Sequence, residues 1–131
     1  MFGWLRKRAA PLAGAPAVRR QKTYCAQSGY VYQYFYEGHR ATSPERGTEY
    51  VFNVSPDRKT SFLVSVFVSE DAMESWQDHS GRTLSAAERY AIAKMALFQA
   101  FDERESPEAM RDPVRVTPAD VRTFLTTLNI D

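Results

Sequence analysis

Alternating apolar and polar residues in the first half of the chain predict β-strands. Tyrosine occupies every second position from Tyr30 to Tyr36, and two later runs alternate in a similar way. Because successive side chains of a strand point to opposite faces of the sheet, such a run has one apolar face. The three predicted strands cover residues 23–37, 49–54 and 61–68.

The segments between these strands carry turn-forming residues and no helical pattern. Residues 38–47 form a polar stretch that begins and ends with glycine, and residues 55–60 contain Pro56 and Asp57. Because no helix separates the strands, an antiparallel meander is the simplest topology. We expect the tyrosines to share the core face with the apolar stripe of the third strand, and some of their hydroxyls to reach the rim of the sheet.

Three segments in the second half of the chain carry helix start signals. The residues predicted to cap them are Ser69, Ser85 and Thr117. The second helix is apolar almost all round from Tyr90 to Phe101, where Lys94 and Gln99 are the strongly polar residues. A helix with this pattern is buried on more than one side. We therefore expect either the last helix or a second subunit to cover it.

Together these elements predict an α+β fold in which a three-stranded antiparallel β-meander is followed by three helices packed on one face, in the order βββααα. The charged stretch 102–115 is expected to be a solvated connection. A chain of 131 residues is long enough for one ordinary domain and too short for two. We assign residues 23–131 to that domain and residues 1–22 to a flexible tail rich in Ala and Pro.

Charge is distributed unevenly along the chain. Residues 1–22 hold six basic residues and no acidic one, whereas residues 23–131 hold 11 basic and 16 acidic residues. An acidic body repels phosphate backbones, so nucleic-acid binding is expected of the tail alone, which is also a candidate for an anionic membrane surface. The candidate contacts in the tail are Trp4, Arg6, Lys7, Arg8, Arg19, Arg20 and Lys22.

Motifs for metals, cofactors and export are missing from the sequence. The single cysteine, Cys25, has no zinc-ligand spacing around it, and the glycines match neither a phosphate-binding loop nor a dinucleotide fingerprint. No apolar run approaches the roughly eighteen residues of a membrane span, and residues 1–22 lack the apolar core of a secretory signal. We predict a cytoplasmic protein without a cofactor or metal.

The sheet face opposite the tyrosines is the predicted partner-binding surface, because it mixes aromatic and polar residues. Its candidate residues are Val31, Gln33, Phe35, Leu63 and Phe67. We predict a non-enzymatic domain that binds another protein or itself. Two alternatives stay open. One is nucleic-acid or membrane binding through the tail, and the other is a small enzyme using the loop 37–49, in which Cys25, Glu37 and His39 would converge.

Overall fold

The computed structural model describes residues 11–130, which form a five-stranded mixed sheet, three α-helices and one 3₁₀ helix. The elements in chain order are β1 (Lys22–Cys25), β2 (Val31–Thr42), β3 (Gly47–Ser55), β4 (Phe62–Ser69), α1 (Glu70–Ser80), α2 (Ala86–Glu103), the 3₁₀ helix (Glu108–Arg111), β5 (Val114–Val116) and α3 (Pro118–Thr127). The strands lie in the order β1-β2-β3-β4-β5, antiparallel except for the parallel pair β4–β5. The α+β class is confirmed, but the predicted three-stranded meander followed by three helices is wrong.

The predicted first strand, residues 23–37, is in fact the hairpin of β1 and β2. The backbone N–H of Ala26 donates to the carbonyl of Tyr30 at 2.9 Å, which closes a three-residue turn. Gly29 within that turn has a φ of +98°, a conformation that suits glycine. Sequence reasoning read this glycine as a bend in one strand, although it reverses the chain.

The predicted polar loop 38–47 is mostly strand. β2 runs on to Thr42 and β3 starts at Gly47, so the turn covers only residues 43–46. A β-bulge between Tyr36 and Gly38 lets β2 continue, and beyond it Arg40 pairs with Glu49 across the two strands. Opposite charges at facing positions stabilise this pair of polar strands. Because this part of the pair lacks apolar alternation, the sequence pattern does not reveal it.

The fifth strand lies in the stretch that the sequence predicts to be a solvated connection, residues 102–115. Val114 and Val116 are buried on either side of the exposed Arg115. The preceding 3₁₀ helix buries Met110 against the same core. A strand of three residues is too short for alternation to distinguish it from a loop.

All three helices pack on the sheet face that carries Tyr32 and Tyr34. The predicted N-caps at Ser69, Ser85 and Thr117 are confirmed, each accepting a hydrogen bond from the first turn of its helix. Every residue of α2 from Tyr90 to Phe101 is buried or half-buried. The sheet covers one side of this helix and α3 packs against another. A single chain therefore shields α2 without a second subunit.

The hairpin of β1 and β2 is fixed to the last turns of α2. The hydroxyl of Tyr24 donates to Asp102 Oδ2 at 2.8 Å, and the backbone N–H of Gln27 donates to Oδ1 at 2.9 Å. Burial, together with the hydrogen bond to Asp102 and its charge, raises the pKa of Tyr24 to about 12. Beside it, the buried ring of Phe101 stacks on Tyr32 with 4.3 Å between ring centroids. Within residues 11–130, no helix has both the length and the apolar character needed to cross a bilayer.

We predict that Phe101→Ala lowers the free energy of unfolding by about 3–5 kcal/mol, because it leaves a cavity between the hairpin and α2. Urea denaturation followed by circular dichroism measures this change, and Phe101→Leu, which keeps most of the volume, is the matched control. A loss below about 1 kcal/mol for the alanine variant would contradict the central place of this ring.

Candidate functional site

Part of the β2 edge that faces β1 is left without regular pairing. The β1–β2 ladder ends at Lys22, which lies opposite Tyr34. The described chain before β1 returns to this edge at one bridge, where Ala13 and His39 exchange backbone hydrogen bonds of 2.8 and 2.9 Å. A stretch of β2 between these two points therefore has no strand beside it.

Residues 14–21, here called the strap, bypass that stretch. Gly14 has a φ of +72°, and a Cβ on it would lie 2.7 Å from Cε1 of His39, so glycine suits the turn of the chain here. Pro16 has no N–H and cannot extend a ladder. Nearer β1, Arg19 Nη2 forms an ion pair of 3.2 Å with Glu37 Oε1. The strap is thus held at both ends while its middle stands away from β2.

A cleft of about 350 Å³, here called the tyrosine cleft, opens under the strap. Its lining consists of Gly14, Pro16, Val18, Arg20, Lys22, Tyr34, Phe35, Tyr36 and Tyr90. Most of these residues are aromatic or apolar, two are basic, and none is acidic. The volume lies at the lower end of the range of small-molecule sites, about 300–1,000 Å³.

The β-bulge of β2 shapes one end of the tyrosine cleft. It puts Tyr36 and His39 on the same face of the sheet, where the Tyr36 hydroxyl and His39 Nδ1 are hydrogen-bonded at 2.9 Å. Gly38 has a φ of +136°, and a Cβ on it would lie 2.7 Å from the carbonyl oxygen of Ala13. The bulge and the bridge at Ala13 therefore depend on this glycine. The ring of Tyr36 packs 4.8 Å from that of Tyr90 on α2.

Two of the lining tyrosines have hydroxyl groups that no other described residue hydrogen-bonds, namely Tyr34 and Tyr90. Burial raises the pKa of both phenols, and for Tyr34 the neighbouring Tyr90 adds to the increase. Both groups are therefore protonated at neutral pH. Each is available to donate its O–H to an acceptor bound in the cleft.

Two basic residues in the cleft and a third next to it are not neutralised by carboxylates. Arg20 and Lys22 line it, and Lys94 of α2 lies beside Lys22. Burial, and then the Lys22 ammonium, lower the pKa of Lys94. Among residues 11–130, no carboxylate pairs with any of these three, although Arg19 next to Arg20 in the sequence pairs with Glu37. The cleft is therefore a site of excess positive charge.

The ring of Phe98 links Lys94 on α2 to the part of the cleft near Lys22. Lys94 Nζ lies 5.7 Å from the centroid of the Phe98 ring, and the same ring meets Tyr34 edge-on at 5.6 Å. Tyr34 in turn lies opposite Lys22 on the neighbouring strand. The cationic end of the cleft is thus built on a helix and two strands.

The predicted partner-binding residues are spread along the sheet face that the helices do not cover. Phe35 and Leu63 share a row across the sheet, with Asn53 between them, and Leu63 is 56% exposed. Val31, 44% exposed, and Phe67 lie on opposite sides of that row.

Other contacts occupy some of these predicted partner-binding residues. Phe35 lines the tyrosine cleft, and Gln33 is buried with its Nε2 donating to Thr23 Oγ1 at 3.3 Å. The Arg115 guanidinium lies 4.7 Å from the centroid of the Phe67 ring. Val31 and Leu63 are the two that remain open to solvent.

The basic candidates of the tail have different surroundings. Arg19 is paired with Glu37, whereas Arg20 and Lys22 line the tyrosine cleft. The remaining candidates lie outside the described residues; they are Trp4, Arg6, Lys7 and Arg8.

The catalytic candidates are not brought together. Cys25 is exposed and lies opposite Val31 at the start of β2, whereas His39 lies beyond the bulge. Glu37 pairs with Arg19 and accepts a long 3.5 Å hydrogen bond from Asn53 Nδ2. Within residues 11–130, no three His, Cys, Asp or Glu side chains are grouped as metal ligands would be.

Sequence reasoning missed the cleft as a site, although it named several of its residues. The sequence identifies Lys94 as a strongly polar residue in an apolar helix and predicts that the tyrosines face the core. Tyr32 and Tyr34 are buried, as predicted, while Tyr36 is half-buried at the cleft. The signal that was available is an isolated lysine in an apolar stretch of a buried helix, because a charge partly removed from water costs stability unless a partner compensates it.

Searches of protein-family models, of curated proteins and of solved structures find no match to this chain.

We predict that Lys94→Met raises the melting temperature by about 1–2 °C at neutral pH, because neighbouring like charges cost a few tenths of a kcal/mol. Differential scanning calorimetry measures the change. Lys59→Met, on an exposed turn, is the matched control and should have no effect. If Lys94→Met gave the same gain in a Lys22→Met background, the two ammonium groups would not repel each other and the prediction would be wrong.

Proposed function

We propose that this protein is a binding domain and that its ligand is a small anionic molecule held in the tyrosine cleft. The observation that supports this function best is the group of Arg20, Lys22 and Lys94, which no described carboxylate neutralises. Elsewhere in the described chain arginines commonly pair with acidic residues, as Arg40 does with Glu49. A cationic cluster that reduces stability is expected where an anion binds.

The cleft also supplies what an anion needs besides charge. The free hydroxyls of Tyr34 and Tyr90 are neutral donors, and the aromatic walls exclude water from one side of a bound molecule. An electrostatic interaction is stronger in such a partly dry site than on an open surface.

The ends of the cleft favour a small ligand over a polymer. The β1–β2 ladder closes one end at Tyr34, and the bridge of Ala13 closes the other at His39. An extended peptide or a nucleic-acid strand would have to pass under the strap, which is held at both ends. A molecule shorter than the distance between these two closed ends can enter the cleft from the side that is open to solvent.

We expect inorganic phosphate and benzoate each to shift the backbone amide resonances of residues 20–22 and 34–36 in a titration followed by two-dimensional ¹H–¹⁵N NMR. The shifts should saturate, because the ions occupy one site. The variant Lys22→Met should weaken both ions, since it removes a charge from the lining. Lys59→Met is the matched control and should bind as the unmodified protein does.

Two outcomes would count against this function. One is the absence of shifts with either ion. The other is a set of shifts that spreads equally to the exposed Arg58 and Arg122 and is unchanged by Lys22→Met, which would indicate general screening of surface charge. Choline chloride at the same ionic strength separates binding from screening.

Partner binding across the outer sheet face is a second candidate function. It is favoured by the exposure of Val31 and Leu63, at 44% and 56%, on a face that the helices do not cover. We expect Leu63→Asp to weaken self-association or partner binding there, because it places a charge in an apolar contact. Sedimentation velocity over a wide range of concentrations tests the homodimer. A monomer at every concentration, with and without the substitution, would contradict self-association.

A further inference from the structure

Taking the proposed function as its premise, we propose that the ligand of the tyrosine cleft is a phosphate monoester of a small aromatic group. Three features of the cleft support this ligand: its charge, its free hydrogen-bond donors, and the distance between its cationic end and its aromatic wall.

The charge of the cluster suits a dianion. Lys22 and Lys94 lie side by side, and Arg20 lines the same cleft. A carboxylate brings one negative charge to these three cations, whereas a phosphate monoester carries about −1.5 to −2 at neutral pH. The dianion can therefore offset the repulsion between the two ammonium groups and still attract the guanidinium.

The donors suit a group with three terminal oxygens. Each ammonium donates up to three hydrogen bonds, and the hydroxyls of Tyr34 and Tyr90 are free to donate one each. A phosphate monoester presents three strong acceptor oxygens in a tetrahedral arrangement, whereas a carboxylate presents two in one plane. Donors that approach from β1, β2 and α2 surround a tetrahedral group better than a planar one.

The position of the aromatic wall places a ring next to the phosphate. The cationic end is at Tyr34, which lies opposite Lys22, and Tyr36 is two residues further along β2. That separation is about 7 Å at the usual rise of a strand, comparable with the length of an aryl phosphate. Tyr36 and Phe35 line the cleft there with Pro16 of the strap. Aromatic and proline surfaces favour stacking with a planar ring.

This chemistry has two natural sources. One is a free small molecule, and the other is a phosphotyrosine side chain on another protein. Both present the same phosphate and ring, so the residues of the cleft do not distinguish them. A peptide would also need room for its backbone outside the cleft, beside the strap.

The experiment is a calorimetric titration of the full chain with phenyl phosphate, inorganic phosphate and benzoate. We expect phenyl phosphate to bind at least about tenfold more tightly than either simpler ion, because it uses both the cations and the ring wall. Lys94→Met should weaken phenyl phosphate about tenfold and benzoate less, and Lys59→Met should change neither. Tyr34→Phe keeps the ring and removes the donor, so a modest loss for phenyl phosphate is expected.

A comparison of two pH values tests the dianion directly. Phosphate monoesters lose most of their second charge between about pH 8 and about pH 5, since that ionisation has a pKa of about 6. We expect the affinity for phenyl phosphate to fall over this range relative to that of benzoate. Benzoate keeps one charge and therefore controls for effects of pH on the protein groups around the phosphate, which are Arg20, Lys22, Lys94 and the nearby His39.

The outcomes separate this inference from the function on which it rests. If inorganic phosphate and benzoate bind but phenyl phosphate binds no better, the anion site stands and the aryl phosphate is wrong. If none of the three binds, both fail. A peptide with one central phosphotyrosine is the last arm: tight binding identifies a protein side chain as the source, and phenyl phosphate binding without peptide binding identifies a small molecule.

Discussion

The burial of α2 on two sides is the constraint on which the rest of the molecule depends. The sheet and α3 both pack against this helix, so its position relative to β2 is fixed by the main core. Tyr90 and Lys94 project from the same helix toward the β2 edge. Phe98 supports both Lys94 and Tyr34. The α2 side of the tyrosine cleft, with Tyr90 and the neighbouring Lys94, is therefore held by the core, as a preorganised binding site requires.

A second constraint is the way in which the β2 edge is covered. An uncovered edge strand exposes backbone donors and acceptors that can pair with another chain. β1 covers one part of this edge, and the bridge at Ala13 covers another. Between them the strap shields the edge without pairing, because Gly14 turns the chain away and Pro16 lacks an N–H. The cleft exists because, over these few residues, the strap covers the edge of β2 without pairing with it as a strand.

How much the sequence revealed depended on the range of the interaction involved. The helices, their caps and the core face of Tyr32 and Tyr34 follow from local periodicity and capping chemistry, and they were predicted. β5 was missed because three residues carry no periodic signal and their pairing with β4 is non-local. The second half of β2 was missed because cross-strand charge pairing and a bulge at Gly38 sustain it. The cleft was missed for a related reason: it joins residues of the predicted tail to β2 and α2, and no local sequence pattern shows that these segments meet.

Two neighbouring arginines of the strap differ in whether an acidic residue neutralises them. Arg19 pairs with Glu37 on β2, whereas Arg20, the next residue, lines the cleft without a described carboxylate beside it. An acidic residue on β2 therefore neutralises one of the two arginines at this edge. The other, Arg20, lines the same cleft as Lys22, and Lys94 lies beside Lys22, an arrangement that is expected to cost stability. Elsewhere in the described chain, opposite charges are paired. An unpaired group of cations costs least where a bound ligand supplies the missing negative charge.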